Sequence, residues 1–133
     1  MNDDILDNAK LAIDARKRSY APYSKFTVGA VLKCKNGKKY IGCNIENDGI
    51  QATCAERVAF LKAISEGERE FEYIVIAGGK QNEPQDKECL PCGYCRQFMN
   101  EFVNKDFKIY TIEKEKIKEY NINEMLPFSF RNN

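Results

Sequence analysis

Apolar and polar residues follow two different periods along this chain. Apolar positions recur at helical spacing near the start, which predicts a helix over residues 3–18 that ends before Pro22. Elsewhere, short runs of β-branched and aromatic residues predict strands. The predicted strands cover residues 27–34, 39–44, 71–77, 107–112 and 117–120, and the other predicted helices cover residues 54–66, 92–102 and 122–126.

Three local features refine this pattern. Asn36-Gly37 between the first two strands is a strong signal for a hairpin turn. The strand over residues 71–77 is continuously apolar, which indicates burial on both faces, and we expect it to stop at Gly78-Gly79. In the helix that follows residue 53, we expect Val58 and Leu61 to face inward, together with Ala55 and Ala59.

The order of elements is hairpin, helix, strand, helix, strand. It predicts a three-layer α/β/α domain with a mixed five-stranded sheet. No repeat, low-complexity segment or linker interrupts the chain, so we expect a single domain over residues 1–133. Ligands of such sheets bind beyond the carboxyl ends of parallel strands, where the following helices begin. The helices predicted to begin at residues 54 and 92 start at such positions.

Charge and composition narrow the class of protein. The 133 residues include 21 Lys and Arg against 20 Asp and Glu, a net charge of +1, so nothing indicates a nucleic-acid or membrane-surface partner. The longest apolar runs are too short to span a bilayer. Residues 1–4 are acidic and show no export signal, so we expect a cytoplasmic protein.

Cysteine and histidine contents are both informative. The chain has six Cys and no His. In a protein without an export signal, reduced thiols and metal binding are favoured over disulfides. The absence of histidine excludes Ser-His and Cys-His nucleophiles, and it restricts any zinc site to Cys and carboxylate ligands.

The cysteine spacing indicates a zinc centre. We interpret Cys54, Cys92 and Cys95 as three ligands of one Zn²⁺ per chain, with Glu56 as the adjacent acid and base. Three protein ligands leave the fourth position for water, as in catalytic zinc sites. In a helix interior, the side chains of Cys54 and Glu56 would diverge by about 200°. They can therefore share a site only if Cys54 lies at the helix entrance, with Thr53 as a plausible N-cap.

Three thiolates would leave the zinc centre with a net negative charge. Two helix N-termini aimed at the sulfurs would partly offset this charge. Arg57 and Arg96 each follow a ligand cysteine in the sequence and could pair with a thiolate, tuning the metal through its ligands.

Two other interpretations use the same cysteines. Cys89 together with the three predicted ligands would close a four-cysteine structural zinc site, although it would leave Glu56 without a role. A redox-active pair formed by Cys92 and Cys95 is the other alternative, and it would not explain the motif around Glu56. Cys34 and Cys43 lie in predicted strands, where we expect them to pack as small apolar side chains.

These motifs resemble the cytidine deaminase family, of the small homotetrameric type. The resemblance rests on Cys-Ala-Glu-Arg at residues 54–57 followed by Pro-Cys-x-x-Cys-Arg-Gln at residues 91–97. Residues 21–26 and 42–47 match two further blocks of the family. The resemblance extends from about residue 5 to residue 130.

The resemblance implies zinc-dependent hydrolysis of cytidine and deoxycytidine to the uracil nucleosides, a step of pyrimidine salvage. It assigns the three cysteines to the metal and Glu56 to proton transfer. It implies that Asn44 and Glu46 hold the ribose hydroxyls and that Phe26 packs against the substrate. Phe130 would complete the pocket of a neighbouring subunit in a homotetramer.

Alternatives remain open beside the resemblance. Without it, Asn44 and Glu46 would be ordinary turn residues, and Phe26 would be a core residue. Residues 48–53 are shorter than in the family and lack its tyrosine, and Tyr94 replaces a small residue. Because blasticidin S deaminases also vary there, a modified cytosine nucleoside or such an antibiotic is an alternative substrate. A non-catalytic, zinc-stabilised binding domain is an alternative of a different class.

Overall fold

The computed structural model describes residues 3–48, 53–85, 89–91 and 93–125. Its strands are β1 (Phe26–Cys34), β2 (Lys39–Cys43), β3 (Phe71–Lys80), β4 (Lys108–Glu113) and β5 (Lys116–Asn121). Its helices are α1 (Asp3–Ala15), α2 (Ala55–Ser65), α3 (Gly93–Phe102) and α4 (Ile122–Met125), and a 3₁₀ turn at Arg16–Arg18 continues α1. The predicted elements are all present, with boundaries that shift by a few residues at most.

The five strands form one mixed sheet in the order β2-β1-β3-β4-β5. β3 and β4 pair in parallel, and the other neighbours pair antiparallel. Helix α1 covers one face, and α2, α3 and α4 cover the other. The predicted three-layer α/β/α architecture is therefore confirmed. Within the described ranges, no helix combines the length and the apolar character needed to cross a membrane.

The core on the α2 side is centred on Phe60, which is fully buried. Its ring meets that of Phe71 edge-on, with the centroids 5.0 Å apart. Ala55 and Ala59 face the same core, as predicted, but Leu61 is 47% exposed, so the prediction that it faces inward is wrong. Leu61 lies about 200° around the helix from Ala59, and only one of the two can face the sheet.

Strand β3 continues through Gly78 and Gly79, so the prediction that it stops there is wrong. Val28 pairs with Gly78 and Thr27 with Gly79 in the antiparallel ladder. Because β1 runs alongside for its full length, the ladder bonds hold the two glycines extended despite their weak strand preference. The extra residues carry β3 to the edge of the sheet from which the chain leads to α3.

Two glycines allow helices to lie directly on the strands. A Cβ at Gly29 would lie 2.0 Å from the carbonyl oxygen of Ala12 in α1. A Cβ at Gly42 would lie 2.4 Å from the carbonyl oxygen of Ala55, in the first turn of α2. No other residue type fits such contacts, because Cβ atoms do not approach backbone so closely. Gly42 thus seats the end of α2 where the zinc motif begins.

A polar network joins α1 to three strands. The Asp4 carboxylate accepts hydrogen bonds from Lys33 Nζ (2.7 Å) and Tyr73 Oη (2.5 Å). The buried Asn8 donates to Tyr73 Oη (2.6 Å) and accepts from Lys39 Nζ (3.1 Å). The hydrogen bonds from Lys33 and Tyr73 hold the pKa of Asp4 below its ordinary value. This network fixes helix α1 against the sheet.

Candidate metal centre

Cys54 lies at the entrance of α2, as the sequence predicts. It is the N-cap residue, with an extended backbone (φ −72°, ψ 154°) that interrupts the helical rotation between Cys54 and Glu56. The prediction of Thr53 as N-cap is wrong. Thr53 instead pairs with Ile45 through two backbone hydrogen bonds of 3.0 and 2.8 Å, which hold the approach to the helix in an extended conformation.

Cys95 comes from the first turn of α3, where it is the third residue of the helix and fully buried. Arg96 beside it donates a hydrogen bond from Nε to the Pro91 carbonyl (2.6 Å), which ties the helix to the segment before it. Cys92 lies outside the described residues, and its role as a ligand stays a prediction. The Arg57 guanidinium lies over the Phe98 ring, 5.6 Å from its centroid, between α2 and α3. Pairing of either arginine with a thiolate also stays a prediction.

Three predicted site residues meet at these two helix entrances. The sulfurs of Cys54 and Cys95 and a carboxylate oxygen of Glu56 all lie within 4.8 Å of one another. Over the part of the chain that the structure describes, this is the one group of three potential ligands so close together. Cys89 is described and does not belong to it, which favours the open site over the four-cysteine alternative. Sulfur donors at this spacing suit Zn²⁺.

Glu56 is a buried acid, only 4% exposed. Burial raises its pKa to about 7, and the charge of Cys54 acts in the same direction. A hydrogen bond with Cys95 and one with the backbone act against the rise. A cation bound beside this carboxyl would favour its ionised form. The group therefore lies where it can change its protonation state next to a metal.

A cavity of about 250 Å³ opens onto this group. It is lined by Cys54 and Glu56, which are predicted to act at the zinc centre, and by Asn44 and Glu46, which are predicted to bind the sugar. Its other lining residues are Val28, Thr53, Ala55, Cys89 and Leu90. Two larger cavities, of about 410 and 570 Å³, are lined by neither a cysteine nor Glu56. Despite their size, they lack the groups that the reaction needs.

Asn44 is anchored by the strand beside it. Its Oδ1 accepts from the Val28 amide and its Nδ2 donates to the Phe26 carbonyl, both at 2.9 Å. One lone pair of the oxygen and one hydrogen of the amide remain available toward the cavity. The structure thus places Asn44 rigidly in the cavity wall, and its contact with ribose stays a prediction.

Glu46 is held by the loop that precedes β1. Its carboxylate accepts from the Tyr23 amide (3.0 Å), the Ser24 amide (3.1 Å) and the Ser24 hydroxyl (2.5 Å). The bonds from Ser24, its hydroxyl first, lower the pKa of Glu46. Because a carboxylate offers about four acceptor positions, one remains for a hydroxyl of a ligand. Sequence reasoning missed Ser24, although the Pro-Tyr-Ser loop was itself recognisable.

Phe26 is not a core residue. It is 38% exposed, which makes the core alternative wrong. Its Cε2 lies 3.1 Å from the position that a Cβ on Gly78 would take. The ring is therefore beside Cys89, which packs on the same glycine, and its contact with a substrate stays a prediction. Phe130 lies outside the described residues.

Cys89 lies in the cavity wall, a position that the sequence did not predict. Burial raises its pKa to about 12, with Glu56 contributing to the rise. Cys34 is fully buried in the α2-side core, which confirms the prediction for it, and Cys43 is half-buried. The local signal for Cys89 was its spacing to Cys92, and that spacing pointed to a metal ligand.

Comparison with known proteins agrees with this geometry. A family model for the cytidine and deoxycytidylate deaminase zinc-binding region matches residues 4–111. A cytidine deaminase of Sporosarcina psychrophila is 42% identical over 118 residues, which are 87% of this chain and 83% of that protein. One of Halalkalibacterium halodurans is 44% identical over 124 residues, which are 91% of this chain and 89% of that protein.

Solved structures show the same fold. The crystal structure of cytidine deaminase from Burkholderia pseudomallei superposes with a TM-score of 0.86 at 33% identity, covering 98% of this chain and 100% of that one. That of cytidine deaminase from Mycobacterium tuberculosis gives 0.79 at 26% identity, covering 97% and 98%. Fold and buried thiol–carboxylate group together define a domain built to bind zinc. The chain belongs to the cytidine and deoxycytidylate deaminase family.

Proposed function

We propose that this protein is a zinc-dependent deaminase that hydrolyses cytidine and deoxycytidine to uridine and deoxyuridine, in pyrimidine salvage. One observation carries the proposal. The buried Glu56 lies within 4.8 Å of the sulfurs of Cys54 and Cys95, at a cavity that also contains Asn44 and Glu46. Groups for proton transfer and for nucleoside binding are thereby available in one cavity.

Cys54 and Cys95 would hold the Zn²⁺, with Cys92 as the third ligand from the sequence motif. When bound, the metal supplies Lewis acidity and an activated water for attack on the substrate. The two cysteines of the described cluster project from helix entrances, whose positive ends stabilise thiolates. This arrangement explains how a site without histidine can hold zinc.

Glu56 would carry the protons of the reaction. Net addition of water at C4 of cytosine requires a proton on N3, and departure of ammonia requires another on the exocyclic amine. The chain has no histidine for this work. Glu56 can take a proton from the attacking water and deliver it to N3. It can then move the proton of the new C4 hydroxyl to the amine, so that ammonia leaves as the C4 carbonyl forms. Burial keeps bulk water away from this transfer.

Asn44, Glu46 and Phe26 would orient the nucleoside. The remaining acceptor position of Glu46 and the remaining amide hydrogen of Asn44 suit the hydroxyls of a sugar. The exposed Phe26 ring offers an apolar face beside the cavity. Because the Asn44 and Glu46 side chains are already held by hydrogen bonds, they would bind the sugar without much further ordering.

We also propose a homotetramer in the cytoplasm. Phe130 would enter the pocket of a neighbouring subunit, as the family resemblance implies. Thiolate ligands are safest from oxidation in a reducing compartment, and that supports the cytoplasmic location.

An ultraviolet assay of purified protein tests the proposed function. Cytidine, deoxycytidine and blasticidin S are incubated separately, and zinc is measured in the same sample. Turnover of the two nucleosides supports the proposal. Turnover of blasticidin S alone would show that the substrate is the antibiotic and not a nucleoside. Bound zinc without any turnover would favour a non-catalytic binding domain.

A further inference from the structure

Cys89 occupies space that only a glycine at position 78 leaves open. A Cβ built on Gly78 would lie 2.7 Å from Cys89 Sγ and 2.8 Å from Cys89 Cβ. The same Cβ would lie 3.1 Å from Cε2 of Phe26. Real Cβ atoms do not tolerate the first two distances, so the thiol sits directly on the backbone of β3. Its position is consequently determined by the absence of a side chain at residue 78.

Cys89 lines the same cavity as the proposed reactive groups. The lining also includes Cys54 and Glu56, and the Phe26 ring lies against the glycine on which Cys89 packs. In the proposed function, C4 of the base must reach Glu56, while the sugar extends toward Asn44 and Glu46. The pyrimidine ring would then occupy the cavity that Cys89 lines.

We propose that Cys89, seated on Gly78, limits the room beside the pyrimidine ring and so determines which ring-substituted cytosine nucleosides the site accepts. This inference rests on the proposed function. Cysteine has a small, polarisable and weakly polar side chain, suited to contact with the edge of a base. One methylene in an apolar pocket changes discrimination by about 10-fold or more. A change of that size at residue 89 should therefore be visible in substrate selectivity.

The test compares kcat/KM for cytidine, 5-methylcytidine and 5-bromocytidine. Cys89→Ala enlarges the cavity and should raise the ratio of substituted to plain substrate by about tenfold. Cys89→Val narrows the cavity and should lower that ratio by a similar factor. Gly78→Ala should also lower it, because its methyl group pushes Cys89 into the cavity. Cys34→Ala is the control, since Cys34 is also a free thiol but is fully buried in the core and does not line the cavity.

Binding provides the second measurement. Dissociation constants for cytidine and 5-methylcytidine are measured by calorimetry on Glu56→Gln protein, with and without the Cys89 substitutions. Zinc content and melting temperature are recorded for every variant, so that a misfolded Gly78→Ala protein is recognised and the result rests on Cys89→Ala.

Opposite shifts in Cys89→Ala and Cys89→Val, absent in Cys34→Ala, support the inference. Equal effects on plain and substituted substrates in both assays would overturn it. Failure of the wild type to deaminate any nucleoside would instead overturn the proposed function, and the binding ratio would still decide the role of Cys89.

Discussion

Glu56, in the first turn of α2, is hydrogen-bonded to Cys95, in the first turn of α3. The proposed proton carrier and a proposed metal ligand are thus joined across two helices that begin far apart in the sequence. The contact explains why both helix entrances must be correctly placed before either group can work.

The first prediction concerns Glu56→Gln. Glutamine keeps the size of the side chain but cannot take up and release protons, so kcat for cytidine should fall at least about 10⁴-fold. Zinc content and melting temperature should stay near those of the wild type. Steady-state kinetics with metal analysis of the same sample checks both statements.

Glu46→Gln is the control for that substitution. It should act through the sugar and therefore reduce turnover of cytidine more than that of free cytosine, if the free base reacts. Near-normal turnover of zinc-loaded Glu56→Gln protein would show that the proposed mechanism is wrong.

The second prediction concerns the metal. Cys54→Ser and Cys95→Ser should each lose most of the bound zinc, because their sulfurs belong to the ligand group. Cys89→Ser should keep one zinc per chain, because Cys89 lies outside that group. Metal analysis after dialysis distinguishes them, and loss of zinc from Cys89→Ser would instead support the closed four-cysteine site.

The third prediction concerns assembly. If Phe130 completes a neighbouring pocket, Phe130→Ala should raise KM for cytidine while leaving the zinc content unchanged. Sedimentation of the wild type at micromolar concentration should show a tetramer. A fully active monomer at that concentration would refute the shared pocket. Phe128→Ala, two residues earlier in the same segment, serves as the matched control.

The fourth prediction concerns Asp4→Asn. The pKa of Asp4 is lowered from 3.8 in the folded protein, so its contribution to stability is present above that value and disappears as the pH falls through the folded pKa. At pH 7 the substitution should lower the free energy of unfolding by about 1 kcal/mol, allowing for partial exposure. Denaturant unfolding at pH 7 and at several pH values below 3.8 measures the difference, which should shrink as the Asp4 carboxylate of the folded protein becomes protonated.

Asp3→Asn provides the comparison for Asp4→Asn. Both residues lie in the first turn of α1 and share its helix dipole, but the carboxylate of Asp4 is the one bonded to Lys33 and Tyr73. An equal loss of stability in the two variants would attribute the effect to the dipole and not to the network.

Hydrophobic periodicity predicted the architecture because the apolar positions of helices and strands recur with different periods along the sequence. It failed for β3, where Gly78 and Gly79 have little strand preference of their own. Their extended conformation comes from pairing with β1, a partner distant in sequence. For the same reason, no local pattern could distinguish Leu61 from Phe60, since the choice depends on how α2 is rotated against the sheet.

The residues of the candidate site also divide into those that a local motif predicts and those that depend on distant parts of the chain. Cys54 and Glu56 were predictable because their roles follow from a short motif at a helix entrance. Cys89 was not, because its position depends on the missing side chain at Gly78. The hydrogen bond from Ser24 to Glu46 joins two loops that are distant in sequence, so the local sequence of neither loop predicts it.

Gly29 and Gly42 have a consequence for engineering. They lie on neighbouring strands, Gly29 beneath α1 and Gly42 beneath the end of α2, and each would place a Cβ within 2.4 Å of a helix carbonyl oxygen. Neither has any part in the chemistry. In a saturation library selected only for soluble expression, these two positions should return glycine alone. Cys89, which is only half-buried in the cavity wall, should accept other small side chains, so the library would rank positions by packing and not by catalysis.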